Sequence, residues 1–309
     1  MITDRFMGWE ILVMLTGEWS LPVAAVAVLV LTPAAAAIIS LFKNSNLYTD
    51  VRGGTPRGAG IVPWAALSIF TPPPFNVPLA VMGALAFIDD LAGRRRIMNL
   101  SIEWGQLSRG LGILAVALIT YPFMGAWGLL AALMVQPLNI ADMQPGVACT
   151  VTVIMSLLAL PAAVMTGSGI HLALLIMVVA LAYSPLDYRG KIMMGEVGNH
   201  SFAVALGLLF YISGGPWLLL ALFLLTPLVT AILRRGNLSE FLEKRLKIEN
   251  PTLGDLYMDV MTGGGLGDLL RRILMGRRAF RIRNPFLISL GFRRLLFNPH
   301  ASHVSRGEL

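Results

Sequence analysis

The chain has 309 residues, of which 56% are hydrophobic and only 13% charged, with a mean hydropathy of +0.73. A soluble globular domain carries about 25% charged residues, so this chain has too little polar surface to cover itself in water, and the bilayer is its natural solvent. The net charge of +7 and the pI near 10.0 would suit a nucleic-acid binder. The basic residues, however, lie between and after apolar runs, where they set membrane topology and meet anionic lipid, so no nucleic-acid partner is expected.

Inside a bilayer only helices or closed barrels satisfy the backbone. Barrel strands alternate apolar and polar residues, whereas Val23 to Leu31 and Leu218 to Leu225 are continuously apolar. The expected fold is therefore all-α and polytopic. Ile2 to Met14 holds Asp4, Arg5 and Glu10 and does not read as a cleavable signal peptide; Asp4 to Thr16 reads as a short interfacial helix. About nine spans follow, near 20–42, 58–72, 76–91, 105–123, 125–141, 148–166, 168–186, 200–214 and 216–233. The second and third are joined by Thr71-Pro72-Pro73-Pro74-Phe75-Asn76, which cannot continue a helix. Residues 1–235 form the membrane domain and 236–309 a basic tail. In the tail, Asp268 to Arg278 mixes apolar and basic residues at helical spacing and reads as an amphipathic helix on the anionic inner leaflet. Pro285 to Phe297 is apolar but broken by Arg293 and Arg294, which disfavours a tenth span.

Charge sets the expected orientation. With the N-terminus outside, one set of loops holds Lys43, Arg52 and Arg57, then Arg94, Arg95, Arg96 and Arg109, then Arg189 and Lys191, and then the tail. The opposite loops hold no Lys or Arg. This asymmetry places the tail in the cytoplasm of a plasma (inner) membrane. The single cysteine, Cys149, cannot form an internal disulfide.

Acidic residues gather at the same ends of the spans. Asp89 and Asp90 close the third, Asp142 closes the fifth, and Glu196 follows the seventh in Lys191-Ile192-Met193-Met194-Gly195-Glu196-Val197-Gly198-Asn199. The first of these loops carries Gly54-Thr55-Pro56-Arg57-Gly58-Ala59-Gly60. Ionisable groups at membrane helices are costly and mark function, and four carboxylates on one side suit Mg²⁺, a hard cation that binds substrate phosphates. Each element also has a plain structural alternative: a solvated helix end for the Asp pair, a simple loop for the glycine-rich stretch, and a surface ion pair for Glu196 with Lys191. Met193 and Met194 read as packing residues, and His171 and His200 as hydrogen-bonded structural side chains.

In their order and sidedness these motifs resemble the polyprenyl-phosphate N-acetylhexosamine-1-phosphate transferases, a family that includes the phospho-MurNAc-pentapeptide translocase and the GlcNAc-1-phosphate transferases of wall polymers. Thr55-Pro56-Arg57-Gly58-Ala59-Gly60 is similar to the family's Thr-Pro-x-x-Gly-Gly loop, and Asp89-Asp90 to its Asp-Asp pair. Asn139-Ile140-Ala141-Asp142 echoes the start of its Asn-Leu-x-Asp-Gly-x-Asp-Gly, and Lys191 to Asn199 its Lys-x-Phe-Met-Gly-Asp-x-Gly-Ser. The resemblance covers roughly residues 20 to 235. It implies a phosphoglycosyltransferase of cell-envelope synthesis that moves a phosphosugar from a nucleotide-sugar to polyprenyl phosphate with Mg²⁺. Asp89, Asp90, Asp142 and Glu196 would be catalytic, and Glu196, Asp89 and Asp90 would lie at the metal. Thr55, Pro56, Arg57, Arg94, Asn139, Lys191 and Gly195 would bind substrate. The protein partner would be a second copy of the chain or another envelope protein.

The sequence also departs from the family. Glu196 replaces the metal-binding Asp, Pro145 stands at the second Asp of the third motif, and Gly93 stands where many members have Lys, with Arg94 next to it. Ala59 replaces a glycine, and the tail has no histidine before His300, so the family's His-containing last loop is missing. These changes open an alternative: a catalytically degenerate relative that binds polyprenyl phosphate or acts as a membrane scaffold.

Overall fold

The structure is a computed structural model that describes residues 17, 19–49, 54–93, 104–278, 280–299 and 301. The expected interfacial helix over Asp4 to Thr16 and the candidate Arg94 lie outside the described residues.

Helices dominate. They are α1 (Ser20–Ser40), α2 (Ile61–Phe70), α3 (Asn76–Ala92), α4 (Trp104–Met124), α5 (Trp127–Leu133), α6 (Val135–Ala141), α7 (Val147–Thr166), α8 (Ile170–Tyr188) and α9 (Gly195–Leu233), the last broken at Gly214 and Gly215. The described strands are β1 (Tyr48–Thr49) and β2 (Thr55–Pro56), an antiparallel pair with Tyr48 opposite Pro56 and Thr49 opposite Thr55. The nine apolar stretches read from the sequence are helical, with α5 and α6 sharing one and the two halves of α9 forming the last pair. Among the described residues five helices are long and apolar enough to cross a membrane: α1, α4, α7, α8 and α9.

Two compact units divide at Phe223, within α9. In the first, Met155, Leu175, Ile176, Tyr183, Phe202 and Phe210 of α7, α8 and the first half of α9 are fully buried. Outward, Leu29, Val30 and Leu31 of α1, Leu114 and Leu118 of α4, and Leu157 and Val164 of α7 are exposed, Leu118 by 73%. Apolar surface spread over several long helices is not stable in water. The chain is an α-helical membrane protein.

The second unit, Leu224–Leu309, holds α10 (Arg235–Leu246), α11 (Leu253–Thr262), α12 (Gly265–Met275), α13 (Pro285–Ser289) and α14 (Phe292–Leu295). Thr252 and Asp255 cap α11 reciprocally, the Thr252 hydroxyl accepting from the Asp255 N–H and the Asp255 carboxylate from the Thr252 N–H. Two short helices replace a tenth span over Pro285 to Phe297. Their arginines are neutralised by α11: Arg293 meets Asp255 and Arg294 meets Asp259, each at 2.6 Å. A buried arginine is stable only when paired, and these two pairs hold α14 against α11.

Candidate functional site: a buried ionic cluster at four helix ends

The four motif segments meet inside the first unit. The C-terminal ends of α3 and α6 come together with the starts of α4 and α9 and the loop after β2. Asp89, Asp90, Asp142 and Glu196 are all buried, none more than 9% exposed.

Two of the carboxylates are held by backbone. Asp142 accepts the N–H groups of Met194 and Gly195 at 3.3 and 3.1 Å. Asp90 accepts those of Glu196 and Val197 at 3.1 and 2.9 Å. The first N–H groups of a helix have no partner within it, and the N-terminus carries partial positive charge. Two carboxylates from different helices therefore cap the start of α9 from outside. Gly195 makes this geometry possible: its φ is +62°, and a Cβ there would collide with the Arg57 carbonyl and the Asp90 carboxylate. Gly60 packs directly on Met194 and Gly198, leaving no room for a side chain. The Pro56 carbonyl accepts the Met193 N–H at 2.9 Å and ties the first motif to the last.

Asp90 and the other two carboxylates also face guanidinium groups. Arg57 Nε lies 3.1 Å from Asp90 Oδ1, and its Nη2 lies 3.2 Å from Glu196 Oε1. Arg109 Nη2 lies 2.7 Å from Glu196 Oε2 and 3.8 Å from Asp89 Oδ2. His200 Nε2 lies 3.0 Å from the same Glu196 Oε2. The Asn139 amide lies against the Arg109 guanidinium, and turning it so that its oxygen faces Arg109 would let it accept from Nη1 and Nη2 at 2.9 and 3.0 Å. Burial disfavours the charge on Arg57, but Asp90, Glu196, Asp89 and Asp142 more than offset it, so its pKa lies above the ordinary arginine value. Arg57 stays charged at every working pH.

Thr55 is buried in the two-residue ladder beside the cluster, whereas Lys191 is exposed in the turn leading to α9. Glu196 thus pairs with Arg57, Arg109 and His200 rather than with Lys191. Arg109, counted with the loop charges, stands on α4 inside the cluster; the available signal was its place in an otherwise apolar helix. His200 is drawn in because it sits one turn after Glu196 on α9. His171 is structural, its Nε2 lying 3.1 Å from the Phe70 carbonyl. A further buried carboxylate, Asp187, accepts the Gly146 N–H at 3.2 Å at the start of α7, a capping role of the same kind.

The donor set bears on Mg²⁺. Direct ligation requires oxygens about 2.1 Å from the ion in near-octahedral geometry. Here Asp89 and Glu196 flank a guanidinium nitrogen, and the Asp90 and Asp142 oxygens point at amides. In this arrangement the side chains do not fit a directly ligated Mg²⁺, because guanidinium and amide donors face their oxygens. No protein-family model matches the chain, and no curated protein matches it.

Proposed function

We propose that the chain transfers a phosphosugar from a nucleotide-sugar to polyprenyl phosphate at the cytoplasmic face of a plasma membrane. In this reading nine spans cross the bilayer, with the N-terminus outside and the tail inside. The observation that carries it is the convergence of the four motifs. Residues 55–60, 89–90, 139–142 and 193–197 are far apart in the chain, yet one buried network joins them.

The lipid phosphate oxygen forms a bond to the β-phosphorus of the nucleotide-sugar. The bond from that phosphorus to the bridging oxygen breaks, and nucleoside monophosphate leaves with the electron pair. Donor and acceptor are both anionic, so catalysis rests on positioning and on cations aimed where charge develops. Arg57 and Arg109 supply those cations, and the guanidinium fork suits phosphate oxygens. Asp89 takes any proton remaining on the lipid phosphate. Asn139 shapes the nucleotide side through its contact with Arg109. Asp90 and Asp142 hold the start of α9, and with it Glu196, in register.

The second reading, a non-catalytic binder of polyprenyl phosphate or a scaffold, has its own support: Asp90 and Asp142 are engaged by backbone amides and Glu196 by three cationic or imidazole groups. A network of this kind also serves to lock helices together. Incubating the purified chain with polyprenyl phosphate and a panel of nucleotide-sugars separates the two. A transferase releases nucleoside monophosphate in a lipid-dependent way, and a binder retains the lipid without any release.

A further inference from the structure

Arg109 belongs to none of the motifs, yet it is the hub of the ionic cluster. Its Nη2 approaches Glu196 Oε2 at 2.7 Å and Asp89 Oδ2 at 3.8 Å, and the Asn139 amide lies beside the guanidinium. Its side chain is 13% exposed and that of Glu196 12%, so solvent screens the pair weakly. A cation fixed between two carboxylates at this depth offsets part of their charge, which a bound divalent ion would offset more fully. The long arm of Glu196 matters here. It reaches both Arg57 and Arg109, and the two guanidinium groups take its two oxygens separately, at 3.2 and 2.7 Å.

We propose that Arg109 is a resident counter-cation that occupies the position of a divalent metal between Asp89 and Glu196, so that the chain does not hold such a metal through Glu196. A guanidinium and a dication cannot share one carboxylate pocket, because like charges at contact distance repel strongly where the dielectric is low. The inference takes from the proposed function only the position of the cation. Its test uses neither sugar nucleotide nor lipid phosphate, so its failure and the failure of the transferase reading are separate results.

The test is Mn²⁺ binding to the full chain purified in detergent, read by electron paramagnetic resonance of the free ion. The wild type should show no Mn²⁺ binding that Glu196→Gln removes. Arg109→Gln, which keeps polar contact and removes the charge, should raise Mn²⁺ affinity by roughly tenfold or more, and adding Glu196→Gln should abolish that gain. Arg109→Lys keeps the charge and should match the wild type. Mn²⁺ bound by the wild type and lost in Glu196→Gln would overturn the proposal, as would a folded Arg109→Gln protein with no gain. The comparison of wild type with Glu196→Gln requires no arginine variant, so misfolding of Arg109→Gln leaves the proposal open to refutation.

Discussion

The carboxylate of Asp142, at the end of α6, receives the backbone N–H of Gly195 at 3.1 Å as α9 begins. With the Met194 N–H on its other oxygen, Asp142 is a cap supplied from a distant helix. Asn has one acceptor oxygen and would turn an NH₂ group toward the second amide. Asp142→Asn should therefore destabilise the protein by about 1–3 kcal/mol, the cost of a buried donor left without its charged acceptor. Thermal unfolding of the purified protein measures this, and an unchanged melting temperature would remove the capping role. The same applies to Asp90→Asn. A helix-end carboxylate on which folding depends little is the simple sequence expectation, and the structure corrects it: Asp90 is fully buried and accepts two amides.

Arg57 reaches two carboxylates with one planar group, through Nε to Asp90 and Nη2 to Glu196. Lysine keeps the charge but offers a single point donor that cannot span both. Arg57→Lys should lower turnover by about 100-fold, the scale of a small misplacement in an organised site, while the protein stays folded. Full activity in this variant would show that the fork geometry is idle.

The loop charges give the expected orientation a direct test. In a Cys149→Ala background, Ser168→Cys, between α7 and α8, should react with a membrane-impermeant maleimide applied to intact cells. Gly236→Cys, after α9, should react only after permeabilisation. Ser168 is exposed, and a side chain at Gly236 meets open space, so reactivity reports sidedness and not burial. The opposite labelling would invert the topology.

The second unit offers a membrane-surface prediction. On α12, Leu270, Ile273 and Leu274 are 50, 69 and 81% exposed, and at helical spacing they share one face with exposed Arg277 just beyond the helix end. Arg271, on another face, is buried and donates from Nε to the Leu295 carbonyl at 3.1 Å. An apolar face edged by arginine suits an anionic leaflet. A fluorophore on Leu274→Cys, again without Cys149, should be quenched by lipid-borne quenchers in anionic proteoliposomes and less so in neutral ones. Equal quenching in both would remove the electrostatic part, and none in either would remove the contact.

Much of the fold was legible because long apolar runs admit few structures in lipid. Even the paired last spans appear as one helix with a break at Gly214 and Gly215, where the sequence places a boundary. The motif segments come together, with Asp90 and Asp142 both accepting amides at the start of α9. Three things were hidden. The acceptor role of Asp90 and Asp142 depends on backbone N–H groups, which carry no residue signature. The place of Arg109 depends on how α4 packs beside α3, and a charge count by loops conceals it. The folding of the tail rests on Arg293 and Arg294 finding Asp255 and Asp259, pairs too far apart in sequence for periodicity to reveal.

Phosphosugar transfer at this buried cluster has a decisive assay. The most direct measurement is release of nucleoside monophosphate by the purified chain from a panel of nucleotide-sugars, with and without polyprenyl phosphate, beside Glu196→Gln. Release from at least one nucleotide-sugar should require the lipid and be lost in Glu196→Gln. Lipid binding without release from any nucleotide-sugar, or release that Glu196→Gln leaves unchanged, would contradict it.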